Sequence, residues 1–207
     1  MSFRDTYLAA ADAFADLVVR LPADGWHAPG LGKWTRRDLV GHVVSSALRQ
    51  VPEVLGNPAG HQEILSPEGY WAFARSVSAD RYAAAVAASH DDARRTGEGL
   101  GDDPADLVWH VIGEAAAALA TAGDLDLVET PAGGMQVADW IPTRTFELAV
   151  HGLDLADSAQ MPFQLPGDVL ADSAAIAARV AVALGEGPLL LRALTGRGTL
   201  PPAFTVV

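Results

Sequence analysis

One segment, residues 145–157 (TFELAVHGLDLAD), constrains the fold of this chain more than any other. Its spacing predicts a helix, and with Glu147 set at zero, His151 falls at about +40° and Asp154 at about −20°. Apolar side chains flank these three residues on both sides, and the opposite side holds only small residues: Thr145, Ala149, Gly152 and Ala156. A surface helix normally carries its charges opposite its apolar stripe. Here the charges lie inside the stripe, so we expect neighbouring helices to bury them, with pairing or a metal ion as compensation.

Most of the rest of the chain is also predicted to be helical. Ser2 with Asp5 and Thr35 with Asp38 form capping-box patterns, which predict helix starts at these two places. Further helices are predicted over 66–77, 78–98, 103–122, 138–158, 166–184 and 188–196, with a loop or short hairpin over 130–140. Strand patterns are scarce. We therefore predict an all-α fold, a four-helix bundle with additional short helices, in one domain spanning residues 1–207.

Composition narrows the classes of function. Half of the 207 residues are hydrophobic, which excludes a disordered chain, and no apolar run reaches the length of a membrane span. The net charge of −12 argues against partners that need a basic surface, namely nucleic acid and anionic membranes. There is no cysteine, so thiolate metal sites, disulfides and cysteine nucleophiles are excluded. A cytoplasmic location is the default expectation, and a homodimer is one assembly that the sequence leaves open.

Glu147 and His151 are candidate metal ligands because side chains four residues apart on a helix reach the same point. Asp154, three residues further on, is placed to accept the second ring N–H of His151 without binding the metal itself. A third ligand is needed. His42 lies on the helix that Thr35 caps, and taken by itself it is interpreted as a half-buried histidine at the edge of that helix. A competing pair with the same spacing is His110 with Glu114. The remaining histidines, His27, His61 and His90, are interpreted as solvated surface residues.

Two stretches carry a resemblance to a known family. KWTRRDLVGHVVSSALRQ (33–50) and RTFELAVHGLDL (144–155) resemble the two motifs of the DinB-like superfamily, in particular the mycothiol-dependent maleylpyruvate isomerase N-terminal family. By position in those motifs, the resemblance implies His42, Glu147 and His151 as the metal ligands. It also implies a four-helix bundle, a divalent metal that is usually zinc, and a low-molecular-weight thiol such as mycothiol as cosubstrate.

The resemblance leads to two hypotheses about function. The first is a metal-dependent thiol transferase or isomerase, which attacks a small electrophilic substrate with a metal-bound thiolate. The second is a non-catalytic metal-binding or sensor protein of the same fold. The two-domain isomerases of the family continue into a second domain, for which the residues after 187 are too few. This weakens the specific maleylpyruvate assignment and leaves the identity of the electrophile open.

Arginines are candidates for binding an anionic cosubstrate. Arg49 lies seven residues beyond His42, about two turns along the same face of a regular α-helix, and we predict that it binds the cosubstrate. Arg144 and Arg192 are weaker candidates. For each of the three arginines the alternative is a surface or helix-capping charge, which the sequence favours.

Overall fold

A computed structural model describes all 207 residues, and it is mostly helical. The helices are α1 (Phe3–Val19), α2 (Arg36–Val43), α3 (Gln50–Leu55), α4 (Pro67–Ser76), α5 (Ala79–Glu98), α6 (Pro104–Thr121), α7 (Val137–Ala159), α8 (Gly167–Ala183) and α9 (Gly187–Leu194). A π-helical segment, Val44–Arg49, joins α2 to α3 without a break. A two-stranded antiparallel hairpin, β1 (Leu127–Thr130) and β2 (Gly133–Gln136), precedes α7. The predicted all-α class is confirmed, and no helix combines the length and apolar character needed to cross a membrane.

The predicted helix starts are confirmed by their caps. The Ser2 and Thr35 side chains each accept a hydrogen bond from the third backbone N–H of the helix, and the carboxylates of Asp5 and Asp38 bind back to the cap backbone. The Ser66 side chain caps α4 by accepting a hydrogen bond from the Gly69 N–H, and a proline lies in the first turn. Local side-chain chemistry therefore determines where these helices begin.

Four helices form a closed ring, which is the bundle. Helix α1 packs on α6 and on α7, and the continuous helix made of α2, the π-helical segment and α3 packs between α6 and α7. The largest side chains buried at the centre include Tyr7, Phe14, Leu48 and Trp140. Helix α5 packs outside the ring on α2, while α4 and α8 cover α7. Helix α7 thus has neighbours on several sides, which places its polar residues in the interior.

The contact between α2 and α5 depends on two glycines. A Cβ atom added at Gly41 would lie 2.8 Å from the Gly97 Cα and closer still to the Ala93 carbonyl oxygen. One added at Gly97 would lie 2.9 Å from the Arg37 carbonyl oxygen. The two backbones therefore touch at a point where no larger residue fits. Because Gly41 precedes His42, this crossing also determines how α5 approaches the predicted metal ligand.

The small residues of α7 turn out to form a packing surface. Thr145, Ala149, Gly152 and Ala156 are all buried, and α1 lies against α7. Leu153, which the sequence places on an apolar flank, is 42% exposed. Small side chains on this face of α7 allow α1 to approach closely. A helix face without large residues can therefore be as deeply buried as an apolar one.

Candidate metal centre

The structure brings together the three predicted ligands from two different helices. His42 projects from α2, whereas Glu147 and His151 project from α7, 105 residues further along the chain. The Glu147 Oε2 atom lies 3.3 Å from the His42 Nε2 atom and 3.2 Å from the His151 Nε2 atom. One ligand atom from each residue falls within 4.8 Å of the other two. The side chains are 12–16% exposed, so the site is largely shielded from solvent.

These separations suit a small divalent ion. Two ligand atoms that each lie about 2.1 Å from zinc at a tetrahedral angle are about 3.4 Å apart. The two distances from the Glu147 Oε2 atom to the histidine Nε2 atoms are close to that value, and all three ligand atoms lie within 4.8 Å of one another. Two imidazoles and one carboxylate are also a ligand set that zinc prefers, and three protein ligands leave a fourth position for water or substrate. The donor set therefore fits a catalytic type of zinc site, although the ligand assignment itself stays a prediction.

Asp154 orients His151. Its Oδ2 atom accepts a hydrogen bond from the His151 Nδ1–H at 2.9 Å. The ring is thereby held with its Nε2 atom toward Glu147, because only one ring nitrogen can face each carboxylate. This is the arrangement in which an outer carboxylate fixes the orientation of a metal-binding histidine.

The electrostatics of the three residues are strongly coupled. Burial acts to raise the pKa of Glu147, but hydrogen bonds from His151 and His42, with the charges of His151 and Arg144, hold it well below its ordinary value. Burial acts to lower the pKa of His151, but its hydrogen bonds to Asp154 and Glu147 and their charges raise it to about 9. Without a metal, the His151 ring is therefore protonated on both nitrogens and positively charged at neutral pH. A divalent ion held by His42, Glu147 and His151 would compete with this proton and would supply positive charge beside Glu147.

Aromatic rings form one wall of the site. The Trp34 indole stacks on the His42 imidazole with ring centroids 4.8 Å apart. The His90 ring also packs on Trp34, with ring centroids 4.9 Å apart. The His42 and His151 rings meet edge to face at 4.9 Å. The expectation that His90 is a solvated surface residue was wrong, since it is half-buried against Trp34. Its position in sequence, at the acidic end of α5, contains no sign of this tertiary contact.

Comparison with known families gives a result consistent with this geometry. A family model described as the mycothiol maleylpyruvate isomerase N-terminal domain matches residues 7–156, which includes all three candidate ligands. The chain belongs to this family. No curated protein and no solved structure matches the chain significantly. The resemblance inferred from the two motifs is thus confirmed, and the helical bundle is the fold expected for a member of the mycothiol maleylpyruvate isomerase N-terminal domain family.

The π-helical segment begins two residues after His42. Within it, the Ser46 carbonyl oxygen accepts a hydrogen bond from Arg144 Nη1 at 2.8 Å, and the Ala47 carbonyl oxygen accepts one from the Tyr7 hydroxyl at 2.9 Å. A π-helix shifts the backbone hydrogen bonds from i→i+4 to i→i+5, and such segments are frequent at functional sites. Side chains from α7 and α1 thus stabilise an irregular backbone next to the metal centre.

Arg144 is a buried structural cation, and its interpretation as a surface or capping charge was wrong. The residue is only 2% exposed. Besides the Ser46 carbonyl, its guanidinium binds the Gln50 Oε1 atom at 2.9 Å and lies 5.1 Å above the Tyr70 ring. Its charge also helps to keep Glu147 ionised. Arg192, in contrast, is exposed, as expected, and donates a hydrogen bond to the carbonyl oxygen of Arg197.

Arg49 ends the π-helical segment and is partly buried. Because a π-helix has more residues in each turn than an α-helix, Arg49 is rotated away from the position that a regular helix predicts relative to His42. Its predicted role in binding a cosubstrate stays a prediction.

The competing histidine pair is on the surface. His110 and Glu114 have side chains that are 69% and 54% exposed, and their nearest charged atoms are 3.5 Å apart. His27 is exposed as well, and the His61 side chain is 76% exposed. None of these residues belongs to a cluster of three side chains that could hold a metal ion, whereas His42, Glu147 and His151 form such a cluster. The structure therefore favours the pair on α7 over the pair on α6.

The role of Asp154 leads to a first prediction. Replacing Asp154 with asparagine should weaken metal binding by about 10–100-fold without abolishing it, because the ring of His151 loses its charged partner. Competition with a chromogenic chelator would measure the affinity. Asp157→Asn, an exposed change one turn away on the same helix, is the matched control and should leave the affinity unchanged. Equal affinities for wild type and Asp154→Asn would contradict the orienting role.

Proposed function

We propose that the protein is a divalent-metal-dependent enzyme that uses a low-molecular-weight thiol, such as mycothiol, as cosubstrate. The reaction class is thiol transfer to a small electrophile or thiol-assisted isomerisation. The observation that carries the proposal is the convergence of His42, Glu147 and His151 on one shielded point with three protein ligands. Such a site keeps a coordination position for a reactant, whereas structural zinc sites are closed by four protein ligands. Membership of the family supports the choice of mycothiol.

The thiol has to come from outside the chain. The protein contains no cysteine, so none of its own side chains can supply a thiolate. A bound divalent metal ion would supply the acidity that converts a coordinated thiol to a thiolate at neutral pH. His42, Glu147 and His151 would hold the ion, and Asp154 would keep the His151 ring in position.

We further propose that Arg49 binds an anionic group of the cosubstrate. The support is its place at the end of the π-helical segment that begins two residues after His42, and its lack of an acidic partner within 4 Å. A cation near the metal centre would help to attract an anionic ligand to a protein whose net charge is −12.

A titration of cobalt-substituted protein with mycothiol tests the proposal. We expect a thiolate-to-cobalt charge-transfer band that grows with mycothiol, because the sulfur occupies the open position. S-methylated mycothiol, which cannot form a thiolate, should produce no such band, and neither should the variant His151→Ala. In Arg49→Gln the band should need several-fold more mycothiol, whereas Arg192→Gln should behave as wild type. If no thiol changes the cobalt spectrum at millimolar concentration, the enzyme hypothesis fails and the metal-binding or sensor protein replaces it.

A further inference from the structure

An apolar cavity of about 460 Å³ lies between α4, α5 and the turn of the hairpin. Tyr70, Trp71 and Ala74 line it from α4, and Val86 lines it from α5. Pro131, in the turn between β1 and β2, contributes to the third side. This volume is in the range of small-molecule sites, which are mostly apolar with few polar groups.

The α4 wall of the cavity packs on α7, the helix that carries two of the three candidate ligands. The Tyr70 ring that lines the cavity also lies 5.1 Å from the guanidinium of Arg144, and the Trp71 ring lies 5.4 Å from the ring of Phe146. Arg144 and Phe146 are on α7 immediately before the candidate ligand Glu147. The two aromatic side chains therefore separate the cavity from the helix that carries two of the three ligands.

The α5 wall connects to the metal centre as well. Ser89 lines the cavity, and the next residue, His90, packs on Trp34, which in turn stacks on His42. Arg81 lines the cavity eight residues before Ser89 on the same helix. At a rise of 1.5 Å per residue, these two positions are about 12 Å apart along α5. The cavity thus extends along α5 from Ser89, whose neighbour His90 begins a chain of ring contacts to His42, to Arg81.

Arg81 has no acidic partner. The ion pairs of the protein include other arginines of the same helix, Arg94 and Arg95, but not Arg81. A cation at the end of an apolar cavity matches a ligand with an apolar body and one anionic group at its end. Arg81 is exposed and takes part in no ion pair, so its guanidinium is available to such a ligand.

We infer that this cavity binds the acceptor substrate, and that the acceptor is an elongated apolar molecule with a single anionic group held by Arg81. The inference rests on the proposed function, since it assigns the second substrate of the same site. Its reactive end would lie at the Ser89 end of the cavity, toward the metal. The apolar walls exclude a small molecule with several charges, because desolvating charges without partners is costly.

Calorimetric titration of the zinc-loaded protein with octanoate and with 1-octanol tests this assignment. Ala85 lines the cavity and is exposed, so Ala85→Phe should fill part of it and weaken binding of both probes by more than about tenfold. Ala87→Phe, an exposed change on the opposite side of α5, is the matched control and should leave both affinities within about twofold of wild type. Arg81→Met should weaken octanoate by about two- to fivefold and leave 1-octanol unchanged, as expected for an exposed charge pair.

The outcomes separate this inference from the proposed function. Absence of octanoate binding, or equal loss of binding in Ala85→Phe and Ala87→Phe, would overturn the acceptor site while the thiol titration stands by itself. Mycothiol should still produce its cobalt band in the presence of saturating octanoate. If octanoate displaced mycothiol instead, the cavity would be the thiol site, and the assignment to the acceptor would be wrong.

Discussion

Replacing His42 with alanine should reduce the bound metal from about one ion per chain to nearly none, and His151→Ala should do the same. Each change removes one of only three protein ligands, and it leaves Glu147 without one of its two hydrogen-bond partners. We expect the affinity to fall by more than about 100-fold, since that is the upper end of the loss when only an outer partner is removed. Elemental analysis of purified, dialysed protein would measure the occupancy.

The competing histidine pair provides the control. His110→Ala removes an exposed histidine that also has a glutamate four residues later on its helix. The variant should keep its full metal content, and circular dichroism should show the same helix content in all three variants. Full occupancy in both His42→Ala and His151→Ala would exclude the assigned centre, and loss of metal in His110→Ala would move the site to α6.

The second large effect is expected at the crossing of α2 and α5. Gly41→Ala should lower the free energy of unfolding by about 2–3 kcal/mol, because the added methyl group meets the backbone of Ala93 and Gly97, which cannot turn away as a side chain can. The shift in the denaturation midpoint would measure the loss. Metal affinity should fall as well, since the next residue is His42.

Gly113→Ala is the matched control for this prediction. Gly113 is exposed within α6, and an added Cβ atom there meets nothing within 4 Å. The same substitution should therefore stabilise the protein by up to about 1 kcal/mol, because alanine is the better helix former. A Gly41→Ala protein as stable as wild type would show that α5 does not approach α2 as closely as described.

Helix positions were predictable from local sequence. The capping residues Ser2, Thr35 and Ser66 lie directly before helices, and the hairpin forms at Gly133, where φ is +120°, a value that glycine tolerates best. These features act over three or four residues, so the chain specifies them without help from the rest of the fold. The pairing of Glu147 with His151 is local in the same sense, because helical spacing alone puts the two side chains together.

The third candidate ligand, His42, could not be predicted from local sequence in this way. The residues between His42 and Glu147 contain no local pattern that joins the two, and only the family motifs singled out His42 from the other histidines. Their meeting depends on the packing of α2 against α7, and thus on the whole ring of four helices. The same holds for Trp34 and His90, whose contact requires α5 to lie across α2.

The sequence by itself determined the helical class, the helix starts, the pair on α7 and, through the absence of cysteine, that no side chain of this protein can supply a thiolate. Only the tertiary structure decided that Arg144 is buried, that residues 44–49 adopt a π-helix, and that a cavity forms between α4, α5 and the turn of the hairpin. The physical reason is that periodicity and capping act within a few residues, whereas burial depends on which faces of distant helices meet. The small face of α7, buried against α1, shows that residue type alone does not reveal burial.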